Sequence, residues 1–193
     1  YGDVKAVLKQ LIQETEKSSS VSRNEWVDMV RGDEKKTEQE QEPLLNTDTV
    51  PIHPLRLCKE IRDFLDKDAI IIGDGGDLIS FGARTLRIYH PGHWIDPGTF
   101  GGLGFGPGSA IAAKLAKPDK QVLLLSGDGT FGFSGMEFDT MVRMNLPIVC
   151  VIGNDAMWGQ VKAYFQLSER TPIAVDLVQT ARYDKVVEAL GGY

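Results

Sequence analysis

Gly127-Asp128-Gly129, placed just after the apolar run Val122-Leu123-Leu124-Leu125 and followed further along by Asn154, is the stretch whose reading decides the fold. A short apolar run bounded by turn residues predicts a buried parallel strand, with the two glycines and Asp128 as the tight turn at its carboxyl end. Ser134-Gly135-Met136-Glu137 has the spacing of a capping box, so a helix is predicted from Ser134 to about Asn145. Pro147-Ile148-Val149-Cys150-Val151-Ile152 predicts a second strand, which ends at Asn154. A right-handed crossover keeps such parallel strands close in one sheet, so Asp128 and Asn154 emerge at the same edge. The class is α/β, a parallel sheet flanked by helices. One carboxylate, one amide oxygen and a nearby backbone carbonyl suit a hard ion such as Mg2+, with diphosphate oxygens and water at its remaining positions.

Two other readings compete. Gly127-Asp128-Gly129-Thr130-Phe131-Gly132 also satisfies G-x-G-x-x-G after a strand, and Asp155 falls roughly where a ribose-binding acid would. The third reading is a purely structural turn. In the dinucleotide fingerprint the helix begins within the glycines and its amino terminus receives the diphosphate. The expected cap at Ser134 delays the helix here, and Asp128 repels a diphosphate unless a cation lies between them. Both points favour the metal and diphosphate reading.

Composition narrows the class without naming it. The 193 residues are enough to bury a full core, and 42% hydrophobic content is ordinary for a globular chain. No apolar run is long enough to span a bilayer and no amino-terminal segment reads as a secretion signal, so a cytoplasmic protein with no membrane contact is expected. A net charge of -6 argues against nonspecific nucleic-acid binding. Cys58 and Cys150 read as buried reduced thiols.

Val4, Val7, Leu8, Leu11 and Ile12 recur at helical spacing behind Asp3, predicting an amphipathic helix over residues 3–16. Ser18-Ser19-Ser20 breaks it, Trp26 is expected to anchor a second helix, and Asp33 through Glu42 reads as a solvated helix face or linker. His53-Pro54 opens a further helix, with Pro at its first position and Leu55, Cys58, Ile61 and Leu65 along one face. Ala69-Ile70-Ile71-Ile72 predicts a strand running into the loop Gly73-Asp74-Gly75-Gly76-Asp77. A third glycine-rich stretch, Gly98 to Gly106, precedes an Ala-rich helix expected from about Ser109 to Leu115; its glycines permit close backbone approach to a ligand. His90-Pro91-Gly92-His93 has H-x-x-H spacing, but Pro-Gly makes it a turn rather than a zinc site, leaving a substrate-facing His93 as one option. Met157, Trp158 and Gln160 follow Asn154 and are read as shaping the mouth of the site, with simple packing as the equal alternative for Trp158.

Gly127-Asp128-Gly129-Thr130-Phe131-Gly132-Phe133-Ser134-Gly135-Met136-Glu137 together with Asn154 resembles the diphosphate-binding domain of thiamine diphosphate enzymes of the acetolactate synthase and pyruvate decarboxylase superfamily. Phe131 to Glu137 and Asn145-Leu146-Pro147 are most similar to 2-hydroxyacyl-CoA lyases and oxalyl-CoA decarboxylases. Gly73 to Asp77, Trp94-Ile95-Asp96-Pro97-Gly98 and Ile152-Gly153-Asn154-Asp155 resemble the acetolactate-synthase-like branch of the lyases. The resemblance spans about Asp68 to Tyr193.

The resemblance implies thiamine diphosphate and Mg2+ as cofactors, with Asp128, Asn154 and the carbonyl of Ala156 on the metal. It assigns Gly75, Gly76, Gly129 and Thr130 to the diphosphate, with Asp77 where the better-known lyases carry Asn. An acid there needs a metal, a water or a turned-away rotamer. Leu103 corresponds to the apolar wedge that holds the cofactor in a V shape, and Gly101 to a pyrimidine contact; the plain alternative is that Leu103 belongs to the core. Residues 1–46 are implied to be the end of a preceding central domain plus a linker, and 47–193 a diphosphate-binding domain truncated at its carboxyl end. The activating Glu of the family belongs to a separate domain, usually of a neighbouring subunit, which implies a homodimer or homotetramer and an inactive isolated segment. The implied reaction is cleavage of a 2-hydroxyacyl-CoA to an aldehyde or ketone and formyl-CoA. Acetolactate-synthase-like decarboxylation and carboligation of a 2-oxoacid is the rival, and a noncatalytic cofactor-binding or assembly module the third possibility.

Overall fold

Ile70–Asp74 (β1) and Val122–Gly127 (β3) lie side by side in the middle of a four-stranded, wholly parallel sheet of order β2-β1-β3-β4, where β2 is Trp94–Ile95 and β4 is Val149–Gly153. The computed structural model describes residues 2–17 and 23–193, so the expected break at Ser18 to Ser20 lies outside the described residues. Successive side chains of a strand point to opposite faces, and both faces of this sheet are covered. Ile71, Leu123 and Leu125 pack with Cys58, Ile61, Leu78, Ile79 and Leu86 on one face. Ile70, Ile72, Val122 and Leu124 pack with Ala110, Phe131, Phe138 and Met141 on the other. A slip of one residue in β1 or β3 would exchange the two sets, so burial on both faces fixes the register.

The helices of the first face are Pro54–Phe64 (α3) and Asp77–Thr85 (α4). Pro54 sits in the first turn of α3, and Nδ1 of His53 caps it by accepting from the Leu55 amide at 3.2 Å. Leu55, Cys58 and Ile61 are buried as the helical spacing predicts, each buried aliphatic side chain contributing about 1.5–3 kcal/mol. The opposite face carries Gly106–Ala116 (α5), Asp128–Ser134 (α6) and Glu137–Arg143 (α7). Burial pushes the thiol of Cys58 up to about 11, and burial and then the charge of Asp74 push that of Cys150 up to about 12; neither forms a disulfide.

Three expectations need correction here. The helix after β3 starts at Asp128 itself, with Gly127 as its N-cap, and Ser134 ends it. No capping box forms: the next helix begins at Glu137 behind Met136, which makes no side-chain cap, and the buried Ser134 hydroxyl has no partner among the described residues. A helix start within the glycines therefore does not separate this motif from a dinucleotide fingerprint. The helix after the third glycine stretch begins at Gly106, with Pro107 in its first turn, rather than at Ser109. The last strand runs from Val149 to Gly153 and leaves out Pro147, which lacks the amide a ladder needs.

Tyr1–Pro43 and Leu44–Tyr193 form two compact units. Within the first, Val4–Lys17 (α1) starts with Asp3 Oδ1 accepting from the Ala6 amide and buries no residue; its apolar stripe of Val4, Val7, Leu8, Leu11 and Ile12 is exposed. Asn24–Leu45 (α2) carries the charged run through Glu42 as a solvated helix, and Trp26 is exposed rather than anchoring it. The second unit is completed by Gly159–Leu167 (α8) and Tyr183–Ala189 (α9). No helix among the described residues is long and apolar enough to cross a membrane.

Candidate active site

The chain passes from β1 to β2 on one side and then returns to β3 on the other, so the carboxyl ends of β1 and β3 flank a topological switch point, where open α/β sheets bind ligands. Gly127 of β3 pairs with Gly153 of β4, which places Asp128 and Asn154 just past matched strand ends. Asp74 of β1 pairs with Ser126, which brings the Gly75-Gly76 loop to the same edge.

Glycines let these loops close on one another. Gly75, at φ 142°, packs where a Cβ would meet the Gly127 amide nitrogen at 3.2 Å and Thr130 Oγ1 at 3.3 Å. A Cβ on Gly129 would strike three ring atoms of Trp158 at 2.7 to 2.9 Å, and one on Gly76 would strike Gln160 Cδ at 2.7 Å. Asp128, Gly129, Gly132, Phe133, Trp158, Leu177 and Tyr183 line a cleft of about 300 Å³. Trp158 stands edge-on to Phe133 with ring centroids 6.0 Å apart, and its backbone amide donates to Val175 at 2.7 Å.

Asp128 is the unusual group of this cleft. Its residue is 3% exposed. Oδ1 accepts from the Gly129 amide at 2.7 Å, whereas Oδ2 is buried with no hydrogen-bond partner among the described residues. An orphaned carboxylate oxygen at a sheet edge that also presents the amide oxygen of Asn154 and the carbonyl of Ala156 suits a hard cation. Asn154 Oδ1 accepts from the Ala156 amide at 3.3 Å, while Asn154 Nδ2 donates to the Ala181 carbonyl at 3.4 Å. Ala156 is left-handed at φ 57°, and its carbonyl accepts from the Leu177 amide at 2.7 Å, which leaves one lone pair.

More negative charge surrounds these groups. Desolvation and then the charge of Asp128 hold the Asp155 carboxyl above the usual range. Desolvation and then Asp155 do the same to Asp77, whose carboxylate is turned against Gly159 at the start of α8. Burial and then Asp128 raise the phenol of Tyr183.

Gly75, Thr130, Gly129, Asp128, Asn154 and Ala156 thus meet at one edge, and Gly76 lies there under Gln160. Trp158 lines the cleft and also packs on Gly129. Gln160 reaches Ser80 at 3.4 Å instead of lining the cleft, and Met157 pairs with Asp176 in an antiparallel bridge. Gly101, at φ 60°, has open space where a Cβ would stand among the described residues, and Leu103 is 39% exposed, outside the core clusters. His93 lies elsewhere: the pairing of Trp94 with Ile71 sets it at the amino end of β1, where its Nδ1 is 3.2 Å from the Ala69 carbonyl. Its position excludes the substrate-facing role. Sequence reasoning missed Leu177 and Tyr183, whose approach no local pattern signals, and Asp74, whose carboxylate accepts from the Gly104 and Gly106 amides.

Residues 74–193 match the family described as thiamine pyrophosphate enzyme, C-terminal TPP binding domain. The chain belongs to the thiamine pyrophosphate enzymes. It is 42% identical over 193 residues to a probable acetolactate synthase of Mycobacterium bovis, covering 100% of this chain and 35% of that one. It is 35% identical over 193 residues to 2-hydroxyacyl-CoA lyase 2 of Caenorhabditis elegans, covering 99% of this chain and 30% of the lyase. The chain therefore spans about a third of the length of the curated relatives it matches. Among solved structures, the thiamine diphosphate-dependent 4-hydroxybenzoylformate decarboxylase of Rhodococcus jostii aligns at TM-score 0.66 and 27% identity, over 72% of this chain and 26% of that one. Family membership supplies what the helix start could not: the matched residues, which include the G-x-G-x-x-G pattern at Gly127, belong to a thiamine pyrophosphate-binding domain.

Proposed function

We propose that this chain holds thiamine diphosphate through a divalent cation bound by Asp128, Asn154 and the Ala156 carbonyl, in an enzyme that cleaves the carbon-carbon bond of a 2-hydroxyacyl-CoA. The buried, unpaired Oδ2 of Asp128 beyond the paired ends of β3 and β4 carries the metal assignment. When bound, thiamine diphosphate supplies the nucleophilic carbon and the electron sink for breaking a bond beside a carbonyl. Asp128 and Asn154 hold the cation that shields the diphosphate from the acidic edge. Gly75, Gly76, Gly129 and Thr130 would offer backbone and hydroxyl groups to its oxygens; the missing side chain at Gly75 is what lets its loop close on Gly127 and Thr130. Leu103 and Gly101 support the ring end from the loop before α5. Trp158, edge-on to Phe133, narrows the mouth and limits the access of water to the cleft.

Identity by itself does not choose the acyl substrate. Against the 42% of the acetolactate synthase, the 2-hydroxyacyl-CoA lyase 2 of Danio rerio reaches 41% over 110 residues. The segments Phe131 to Glu137 and Trp94 to Gly101 favour the lyases. Acetolactate formation is the second reading, favoured by the 42% match along the whole chain. The reading places residues 1–46 at the end of a preceding domain, the activating Glu in a separate domain, and the protein in the cytoplasm as a homodimer or homotetramer. The full-length protein, with thiamine diphosphate and Mg2+, should be offered 2-hydroxyacyl-CoA esters and pyruvate in separate assays. Formyl-CoA release supports the lyase; acetolactate with no thioester cleavage, for short and long chains, selects the synthase and leaves the cofactor site standing.

A further inference from the structure

Asp74 ends β1 with a side chain that is 0% exposed. Its Oδ2 accepts from the Gly106 amide at 2.7 Å and its Oδ1 from the Gly104 amide at 3.0 Å, both from a segment far along the chain. A buried carboxylate is costly unless hydrogen-bonded, so two amide donors fix the relative positions of three residues. The fit is close: a Cβ on Gly106 would lie 2.6 Å from Asp74 Oδ2 and 2.8 Å from Leu124 Cδ1. Gly104 adopts φ 86° and packs where a Cβ would lie 2.6 Å from that of Phe133. Upstream the loop is open, with no atom of the described residues, chain neighbours aside, within 4 Å of where a Cβ on Gly101 or Gly102 would stand. Leu103 therefore sits at the boundary between a free stretch and a clamped one.

We propose that Asp74 is a positioning residue for cofactor activation: its carboxylate clamps the Gly104 and Gly106 amides and thereby sets Leu103 under the cofactor ring. The inference rests on the reading of Leu103 as the wedge. Asp74 touches neither the diphosphate nor the metal in this account, so losing it should disturb the ring end of the cofactor and spare the anchor. An Asn in its place keeps one acceptor oxygen and turns an NH2 toward an amide donor, releasing one of the two amides.

The test uses full-length protein carrying Asp74→Asn, Leu103→Ala and both changes. Proton exchange at the cofactor C2 is read by quench and NMR, cofactor affinity by calorimetry, and backbone amide exchange by mass spectrometry on the cofactor-free protein. Asp74→Asn should slow C2 exchange by roughly tenfold or more, the weight of one unmade buried hydrogen bond, with affinity held within about threefold. Amide protection should fall at residues 101–106 and stay unchanged in β1 and β3. The double variant should be no slower than Leu103→Ala alone, because a residue acting through another adds nothing once that other is gone. Normal C2 exchange in Asp74→Asn alongside slow exchange in Leu103→Ala, or additive slowing in the double variant, would overturn the clamp and leave the wedge intact. Normal exchange in Leu103→Ala would instead remove the wedge reading, and the clamp with it. If Asp74→Asn loses protection throughout, Asp74→Ser is read by the same criteria; global loss in both makes Asp74 a fold residue and also overturns the proposal.

Discussion

Replacing Asp128 by Ala should move binding and stability in opposite directions. In the cofactor-free protein Oδ2 is buried and unpaired, a state that costs about 1–3 kcal/mol for a polar group and more for a charged one. Removing the side chain relieves that cost and forfeits the Oδ1 bond to the Gly129 amide, worth about 1.5–3 kcal/mol for a charged acceptor. The net effect should be neutral or stabilising by roughly 1 kcal/mol, seen as an unchanged or higher denaturant midpoint without metal. Cofactor binding should weaken by about tenfold or more, at about 1.4 kcal/mol per decade, because the cation loses its carboxylate. Asp128→Asn keeps the Oδ1 acceptor but presents a donor to the cation, so it should weaken binding while changing stability less. Calorimetric titration of thiamine diphosphate at fixed Mg2+, paired with chelator-treated unfolding curves, measures both quantities on the same variants. Unchanged affinity in Asp128→Ala would refute the metal assignment. Unchanged affinity with a loss of several kcal/mol of stability would make Asp128 a structural turn residue.

Other outcomes follow from the same geometry. Leu103→Ala should slow proton exchange at the cofactor C2 and leave diphosphate affinity largely intact; a normal rate would strip Leu103 of its wedge role. Gly129→Ala places a methyl 2.7 to 2.9 Å from the Trp158 ring, so the indole must move, at a cost of about 1–3 kcal/mol in stability with a red shift of tryptophan fluorescence; an unmoved spectrum would contradict the packing. The Asp77 carboxyl is raised by desolvation and then by Asp155, so the folded state binds its proton more tightly than the unfolded state. Its contribution to stability is complete below the unfolded value, about 3.9, and is lost as pH rises through the raised value. Asp77→Asn should therefore stabilise the cofactor-free protein at pH 7, with the gain shrinking as pH falls toward about 4. A gain that grows on acidification would reverse the sign and sink this reading.

Much of the scaffold was legible because burial on two faces leaves continuous apolar runs: Ile70 to Ile72 and Val122 to Leu125 mark the central strands directly. The paired strand ends follow from the spacing of Asp128 and Asn154 around one crossover. The first turn after β3 was misread for a physical reason. Asp128 to Ser134 contains two glycines, poor helix formers, and a capping signature at Ser134 competes for the start. Packing of Phe131 between Phe138 and Tyr183, with centroids 5.5 and 5.1 Å away, supplies what local propensity lacks. The roles of Leu177 and Tyr183 depend on how the chain folds back beyond α8, where Met157 pairs with Asp176. Asp74 looks like any acid in a glycine turn until the amides of Gly104 and Gly106 are seen to converge on it.

The most direct test of the central claim is a titration of thiamine diphosphate into full-length protein stripped of metal by chelation, repeated with Mg2+ restored. With Asp128 unshielded at a strand edge that also carries Asp155 and Asp77, the account predicts no measurable binding in chelator and recovery of affinity on adding the cation. Equal affinity with and without the divalent ion would contradict it.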